Sequence, residues 1–293
     1  RCRGTIVALQ TITKTQLVMS TIAVPPDVTP IAPTVCMNWL KCPTYGYLAK
    51  RWEPISEWTP NRLLGIAVGK GLETLLDPST NYDAAGEKGP SRGDAVELAI
   101  LGAIRAGYQE QDTWPLDALQ ALALKGYRAA CKTVIKDIQE REKVLAVELE
   151  VGGARVDLVT QRDDALIVTD YKTKLQCKPE WVTRDLLESE CDWQLWDYAG
   201  RVSEYYGRLV TIKRRVIIVL SPTAKAYVHD TPVTETGLNT WPRGAIKEWR
   251  FINSLRTPAD FHTVVASELP MRTTSCYGRY GRCKFYEACW SAD

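Results

Sequence analysis

The sequence predicts a mixed α/β domain in which a β-sheet core is flanked by helices. Three patterns in the 293 residues lead to this prediction. Hydrophobic residues recur with a helical period between about 61 and 139, alternate along the chain between 144 and 170, and then follow helical and strand patterns in turn up to about 256. Helices, a three-strand meander and then helix, strand and helix are typical of a mixed sheet with helices on both faces.

The N-terminal region differs from the rest of the chain. Residues 1–35 are rich in Thr, Val and Pro and lack a helical period, so we expect an extended or disordered arm. Residues 36–52 predict a short helix, a break near Cys42 and then an aromatic and basic stretch. We therefore assign residues 36–293 to one folded domain.

Three helices are predicted before the strands. Apolar residues fall on one face of residues 61–77, and further helical patterns cover 94–107 and 115–139. Residues 81–93 between the first two helices are predicted to be a loop. Pro115 is well placed to begin the third helix, because proline is tolerated in a first helical turn.

The meander follows directly. Residues 144–151 alternate in strand fashion, Gly152-Gly153 predicts a hairpin turn, and residues 154–160 form the second strand. A polar turn over 161–164 then leads into a third strand over 165–170.

A helix over 183–206, a buried strand over 214–220 and a helix over 240–256 complete the predicted core. The last segment, 271–293, is dense in Cys, Arg and Tyr, and we include it in the folded domain.

Charge and apolar runs exclude several classes of protein. With 37 Lys and Arg against 35 Asp and Glu, the net charge of +2 excludes a global polyanion binder. A nucleic-acid surface would need local clusters such as Lys213–Arg215, which could equally solvate the entrance to a strand. No apolar run is long enough to span a bilayer, and the first residues lack the apolar core of a signal peptide. We expect a cytoplasmic protein of a bacterial, archaeal or phage-infected cell.

Two aspartates and a lysine form the first candidate site. Asp157 lies on the second predicted strand and Asp170 at the end of the third, so a hairpin can bring both to one edge of the sheet. Lys172 shares a strand face with Asp170. Paired carboxylates suit Mg²⁺ or Mn²⁺, and a nearby ammonium suits hydrolysis of a phosphodiester. The alternative is that all three are ordinary solvent-facing strand residues.

Gln194 and Tyr198 are four residues apart on the helix that follows, and therefore share one helix face. This spacing alone is weak, because many helices contain it.

The cysteines form the second candidate site. Cys276, Cys283 and Cys289 are clustered, and a tetrahedral metal or an iron–sulfur cube needs a fourth ligand. Cys42 is the first candidate for that ligand and Cys36 the second. The spacing does not distinguish zinc from iron–sulfur, and three unconnected thiols are the alternative. With only two histidines in the chain, a His-rich zinc site is almost excluded.

Together these residues resemble the PD-(D/E)XK nuclease superfamily, and most closely its RecB-type branch, which includes CRISPR-associated iron–sulfur exonucleases and phage relatives. The resemblance implies a restriction-endonuclease-like fold. It also implies a [4Fe-4S] cluster that joins the two ends of the domain through four cysteines: Cys42, Cys276, Cys283 and Cys289. Five residues correspond to the catalytic motifs of the family: Asp157, Asp170, Lys172, Gln194 and Tyr198. Asp157 and Asp170 would hold the metal.

One motif departs from the family. Gly69 stands where the branch has a metal-binding histidine, so one ligand is missing. Glu73, one turn further along the same helix, could contribute through a water, or could be a solvated helix residue.

The resemblance implies a Mg²⁺- or Mn²⁺-dependent DNA exonuclease acting on single strands or ends, in recombination, replication or CRISPR-type adaptation. We expect DNA and proteins of those processes as partners, without a membrane or a small-molecule substrate. A catalytically weakened DNA-binding or complex-forming module with the same fold is the alternative. A zinc-stabilised interaction protein is a third hypothesis.

Overall fold

The computed structural model describes residues 42, 59–79, 91–108, 114–234, 236–238, 247, 250, 277–278 and 281–282. The predicted arm over 1–35 lies outside these residues, as does most of 36–52. Of the predicted helix over 240–256, only Lys247 and Arg250 are described, and both are helical.

The three predicted helices are confirmed, with small changes at their ends. They are α1 (Pro60–Leu76), α2 (Arg92–Gly107) and α3 (Leu116–Ala130). The third continues through a π-helical turn (Cys131–Ile135) into α4 (Lys136–Arg141). The starts of α1 and α2 have side-chain caps: Thr59 accepts from the Arg62 amide, and Ser91 forms a capping box with Asp94.

Five strands form one sheet in the order β1-β2-β3-β4-β5: β1 (Lys143–Val151), β2 (Ala154–Arg162), β3 (Ala165–Gln176), β4 (Val210–Ser221) and β5 (Lys225–Pro232). Only β3 and β4 pair in parallel, and the other neighbours are antiparallel. The predicted turn at Gly152-Gly153 is present, with both residues at positive φ. The sequence did not predict β5, and it ended the third strand too early.

The parallel pair requires a crossover connection, and here the sequence prediction is wrong. One helix was expected over 183–206, but two helices are present, α5 (Pro179–Glu188) and α6 (Trp193–Tyr206), with a 3₁₀ turn (Ser189–Cys191) between them. Asp192 separates them: its backbone is extended and its side chain accepts from the Gln194 amide at 2.7 Å. A residue that caps a new helix cannot continue the old one.

The two faces of the sheet carry different helices. Val216, Ile218 and Leu220 of β4 pack into the main apolar core with α1–α4. Ile217 and Val219 face the other way and form a smaller cluster with Val182 of α5. Because successive strand residues alternate between faces, the odd-numbered residues of β4 face α5 and α6.

The basic run Lys213–Arg215 is neither an exposed nucleic-acid path nor a solvated strand entrance. These residues lie within β4, and their exposed fractions are 0%, 2% and 4%. The Lys213 ammonium lies 3.5 Å from the ring centre of Trp196 and donates to the Glu190 carbonyl. Burial lowers the pKa of Lys213 to about 8. Both expectations fail because β4 is an interior strand of the sheet.

Two short strands, β6 (Tyr277–Gly278) and β7 (Gly281–Arg282), pair within the predicted cysteine-rich tail. A five-stranded mixed sheet flanked by helices fits the restriction-endonuclease-like fold that the resemblance implies. In the part of the chain that is described, no helix has the length and apolarity to cross a membrane.

Candidate active site

Asp170 and Lys172 lie in the middle of β3 and point to the face that carries α6. The Asp170 carboxylate is fully buried. The Lys172 ammonium donates to Asp170 Oδ1 at 2.9 Å and to Gln194 Oε1 at 3.0 Å. The spacing of two residues along a strand therefore brings the carboxylate and the ammonium into direct contact.

Asp157 lies across from Asp170, at the point where β2 and β3 stop pairing. Leu158 and Thr169 are the last register partners, and one further step along each strand reaches the two aspartates. Asp157 Oδ2 accepts a hydrogen bond from the Tyr171 backbone N–H at 2.7 Å. If the β2–β3 ladder continued, a backbone carbonyl would accept this bond. The end of the ladder leaves both carboxylates on one face of the sheet, at a gap in the backbone pairing.

The pKa of Asp157 reflects this crowding. Burial, followed by the neighbouring charge of Asp170, raises its pKa to about 7, although the Tyr171 amide and Lys172 act in the opposite direction. Two carboxylates this close disfavour ionisation of both unless a cation lies between them. The pair is therefore suited to holding a divalent cation.

Gln194 and Tyr198 complete the set of predicted catalytic residues on α6. Gln194 Nε2 donates to the Tyr198 hydroxyl at 2.6 Å, as expected for side chains one helical turn apart. A continuous hydrogen-bonded chain thus runs from Asp170 through Lys172 and Gln194 to Tyr198. Burial and the nearby carboxylates raise the pKa of Tyr198, so its hydroxyl stays protonated.

A cavity of about 590 Å³ adjoins this gap and is bordered by α1. Asp157 and Lys172 line it from the sheet, and Gly69, Lys70 and Glu73 line it from the helix. The Lys70 ammonium donates to Glu73 at 2.5 Å. A Cβ atom at Gly69 would meet nothing within 4 Å, so the position where the resemblance places a histidine faces open space.

Two further residues at the site were missed by the sequence reasoning. Arg215 is the register partner of Asp170 on β4 and pairs with its carboxylate at 2.6 Å. Glu148 lies on β1 between residues paired with Leu158 and Val156, which sets it across from Asp157. It has a positive φ of 51° and an ion pair with Arg155, and burial raises its pKa. A polar residue among alternating apolar ones was the available signal for Glu148.

The donor set fits a hard cation. Asp157 and Asp170 offer carboxylate oxygens, and Mg²⁺ is commonly held by one or two carboxylates while it keeps several waters. Within the described ranges no group of three or more His, Cys, Asp or Glu side chains is arranged to hold a metal. Water and substrate oxygens would therefore supply the remaining ligands.

The cysteine site is described only at Cys42, which is buried. The other three proposed ligands, Cys276, Cys283 and Cys289, lie outside the described residues, so the cluster stays a prediction. Cys131, Cys177 and Cys191 are free thiols.

Comparison with known proteins identifies the family. A sequence model of the PD-(D/E)XK nuclease superfamily matches residues 37–289. Among solved structures, a presumed exonuclease from Eubacterium rectale is 11% identical over 89% of this chain and 95% of its own, with a TM-score of 0.43. LHK-Exo in complex with dAMP is 14% identical over 68% of this chain and 96% of its own, with a TM-score of 0.23. A search of curated proteins finds no match. Because the family match spans most of the sequence, the chain belongs to the PD-(D/E)XK nuclease superfamily.

Proposed function

We propose that the protein is a Mg²⁺- or Mn²⁺-dependent DNA exonuclease that acts on single strands or DNA ends. One arrangement carries the proposal: Asp157 lies across from Asp170 where β2 and β3 separate, and the Lys172 ammonium is 2.9 Å from Asp170. Two carboxylates for a cation and an ammonium for the phosphate are the groups that metal-assisted phosphodiester hydrolysis requires. The membership of a nuclease superfamily supports the same reaction.

Each side chain then has a defined task. Asp157 and Asp170 would hold the divalent cation, which would supply Lewis-acid chemistry at the phosphodiester. Lys172 gives up part of its contact with Asp170 and binds the attacking water or a phosphate oxygen. Gln194 accepts from Lys172 and limits the positions that the ammonium can take. Tyr198 accepts a hydrogen bond from the side-chain amide of Gln194 and so holds that side chain in place.

The resemblance also supports a more specific branch of the superfamily and a metal cluster. We infer a RecB-type nuclease with a [4Fe-4S] cluster on Cys42, Cys276, Cys283 and Cys289, and Zn²⁺ is the alternative occupant. The clustering of three cysteines near the C-terminus and the burial of Cys42 support this inference. A brown protein with iron and acid-labile sulfide is expected, and a colourless protein containing zinc would contradict the iron–sulfur assignment. Activity on free ends suits recombination, replication or CRISPR-type adaptation.

The decisive experiment replaces Asp170 with asparagine. Asp170→Asn keeps the size of the side chain and one of the two acceptor oxygens that Lys172 and Arg215 use, but it replaces the other with an NH₂ donor and removes the charge that holds the cation. We expect Mn²⁺-dependent shortening of end-labelled single-stranded DNA to fall by at least about a thousandfold, as other losses of essential catalytic groups do. Asp164→Asn, in the exposed turn before β3, is the matched control and should retain full activity. Undiminished cleavage by a folded Asp170→Asn protein would remove the proposed site.

A catalytically weakened DNA-binding module is the second candidate, and Gly69 is the observation that favours it. Without the family histidine, the wall of the cavity formed by α1 offers Glu73 and Lys70, which pair with each other. Binding of single-stranded DNA without any shortening in Mg²⁺ or Mn²⁺ would favour this candidate over the exonuclease.

A further inference from the structure

Arg215 connects the two elements that carry the proposed catalytic residues. Its Nη1 lies 2.6 Å from Asp170 Oδ2 on β3, and its Nη2 contacts Asp192 Oδ2 at the start of α6. The side chain of Arg215 is almost fully buried. A buried guanidinium shared by two carboxylates fixes the positions of both, because its fork-like geometry sets distance and orientation together.

The contacts close into a ring of five residues. Asp192 uses its other oxygen, Oδ1, to cap α6 by accepting the Gln194 amide at 2.7 Å. The Gln194 side chain accepts from Lys172, which donates to Asp170 Oδ1, and Asp170 Oδ2 returns to Arg215. Both oxygens of Asp170 are therefore held, each by a different cation, so the carboxylate plane has little freedom to rotate.

We propose that Arg215 is a positioning residue of the metal site. It holds the Asp170 carboxylate and the cap of α6 as one unit, so that Asp170 and the start of α6 keep their positions when a divalent cation binds. This inference rests on the proposed function in one respect only, namely that Asp170 is a ligand of a divalent cation.

Charge alone leads to the opposite expectation, which makes the proposal testable. Arg215 carries a positive charge at hydrogen-bond distance from the proposed ligand Asp170, and repulsion of a second cation would weaken metal binding. If that repulsion dominated, removing the guanidinium would strengthen Mn²⁺ binding. Groups that hydrogen-bond to metal ligands, however, typically contribute 10- to 100-fold to metal affinity or activity by orienting those ligands. We therefore expect orientation to dominate.

Arg215 is also reachable from solvent through a second cavity. This cavity, of about 340 Å³, lies on the α5 side and is lined by Arg215, Lys172 and Asp192 among others. Arg215 Nε is buried and has no hydrogen-bond partner among the described residues. A small guanidinium compound could therefore enter and occupy the space left by a shortened side chain.

The matched control is the preceding residue. Arg214 is equally buried and pairs with Glu142 and Asp230, on the opposite face of β4. Mn²⁺ binding is measured by electron paramagnetic resonance on DNA-free protein, at a temperature where circular dichroism shows each variant to be folded. The variants are Arg215→Met, Arg215→Lys and, for the rescue experiment, Arg215→Ala, with Arg214→Met and Arg214→Lys as controls.

We expect the Kd for Mn²⁺ to rise about 10- to 100-fold in Arg215→Met. Arg215→Lys should bind Mn²⁺ nearly as weakly, because one ammonium cannot bridge Asp170 and Asp192 as the forked guanidinium does. Both Arg214 variants should bind Mn²⁺ as the wild type does. In Arg215→Ala, millimolar methylguanidinium should restore part of the Mn²⁺ affinity and of the DNA cleavage, whereas a purely structural defect would not respond.

Unchanged or tighter Mn²⁺ binding in Arg215→Met, or full binding and cleavage in Arg215→Lys, would overturn the proposal. Because binding is measured without DNA, a wild type that binds Mn²⁺ but does not cleave contradicts the proposed function and leaves the comparison of arginines intact. A wild type that does not bind Mn²⁺ contradicts both.

Discussion

Arg214 and Arg215 are consecutive residues of β4, both are buried, and each pairs with two carboxylates, yet they lie on opposite faces of the sheet. Arg214 donates to Glu142 and to Asp230, and Thr160 also donates to Glu142 at 2.5 Å. Arg215 donates to Asp192 and to Asp170, which lies where the pairing of β2 and β3 ends.

The difference teaches that burial and pairing do not by themselves mark a functional charge. The Glu142 side chain is completely buried, and both of its oxygens have partners within the fold, Thr160 and Arg214. Asp170 is just as buried, but Asp157 and Lys172 beside it line a cavity. The residues around Arg215 differ from those around Arg214 because they lie where the pairing of β2 and β3 ends. The polar groups of Asp157 and Lys172 are therefore open to a ligand.

The largest expected effect tests the Arg214 side. Arg214→Met should lower the free energy of unfolding by about 3–5 kcal/mol, because the buried Glu142 charge loses its hydrogen-bonded cation and keeps only Arg162, at 4.0 Å. Urea denaturation followed by circular dichroism measures this loss. Adding Glu142→Gln should recover part of it, since the buried side chain then carries no charge, while the partly exposed Asp230 keeps its contact with Arg162 at 3.8 Å. A stable Arg214→Met protein with impaired Mn²⁺ binding would break the comparison by giving this face a role in the site.

The second prediction concerns how folding stability depends on pH, and it tests Asp157 on the Arg215 face of the sheet. The pKa of Asp157 is about 7 in the folded protein, whereas an ordinary aspartate titrates near 4. Between these values the folded, metal-free protein holds more protons than the unfolded chain, so its stability falls as pH rises through this window. Asp157→Asn should flatten that part of the stability curve, as measured by urea denaturation without metal.

The same proton competes with the cation. Below pH 7, the apparent affinity for Mn²⁺ should fall about tenfold for each pH unit, because the carboxylate must lose its proton to act as a ligand. Calorimetric titration at several pH values gives this slope. A metal affinity that is independent of pH between 5 and 7 would show that Asp157 is not a ligand.

The smallest effect involves α1, which packs in the core on the Arg214 side but also borders the cavity at Asp157. Gly69→Ala and the control Gly102→Ala on α2 both add a Cβ that meets nothing within 4 Å. Each should stabilise its helix by about 0.5–1 kcal/mol in thermal or urea unfolding. Gly69→His should in addition tighten Mn²⁺ binding relative to Gly69→Ala. If Gly69→His and Gly69→Ala bound Mn²⁺ equally well, α1 would have a role in the core but none in the metal site.

Local patterns in the sequence were enough to predict the first four strands and the contact between Asp170 and Lys172. The period of two fixes which residues share a face, and Gly152-Gly153 marks the hairpin. Asp192 could have been recognised as a helix cap, but the chain has neither Gly nor Pro between α5 and α6 to signal a break. β5 was missed because it is an edge strand with no fully buried residue and few strongly apolar ones.

Arg215 could not be predicted from a local pattern. Its partnership with Asp170 depends on the register between β3 and β4, which the intervening crossover sets. In sequence it stands in a run of three cations that resembles a surface patch. Strand alternation turns these adjacent basic residues toward different faces, and the long-range register decides which partners each one meets. Their roles therefore diverge only in the folded protein.

The single parallel pairing also has a consequence for how the molecule matures. β1, β2 and β3 are joined by short turns, so Asp157, Asp170 and Lys172 can assemble from neighbouring sequence soon after synthesis. Arg215 arrives only after residues 177–209 have folded across the sheet. A nascent chain would thus bring Asp157 and Asp170 together before Arg215 can pair with Asp170. We expect the proposed DNA cleavage to become possible only when β4 pairs with β3.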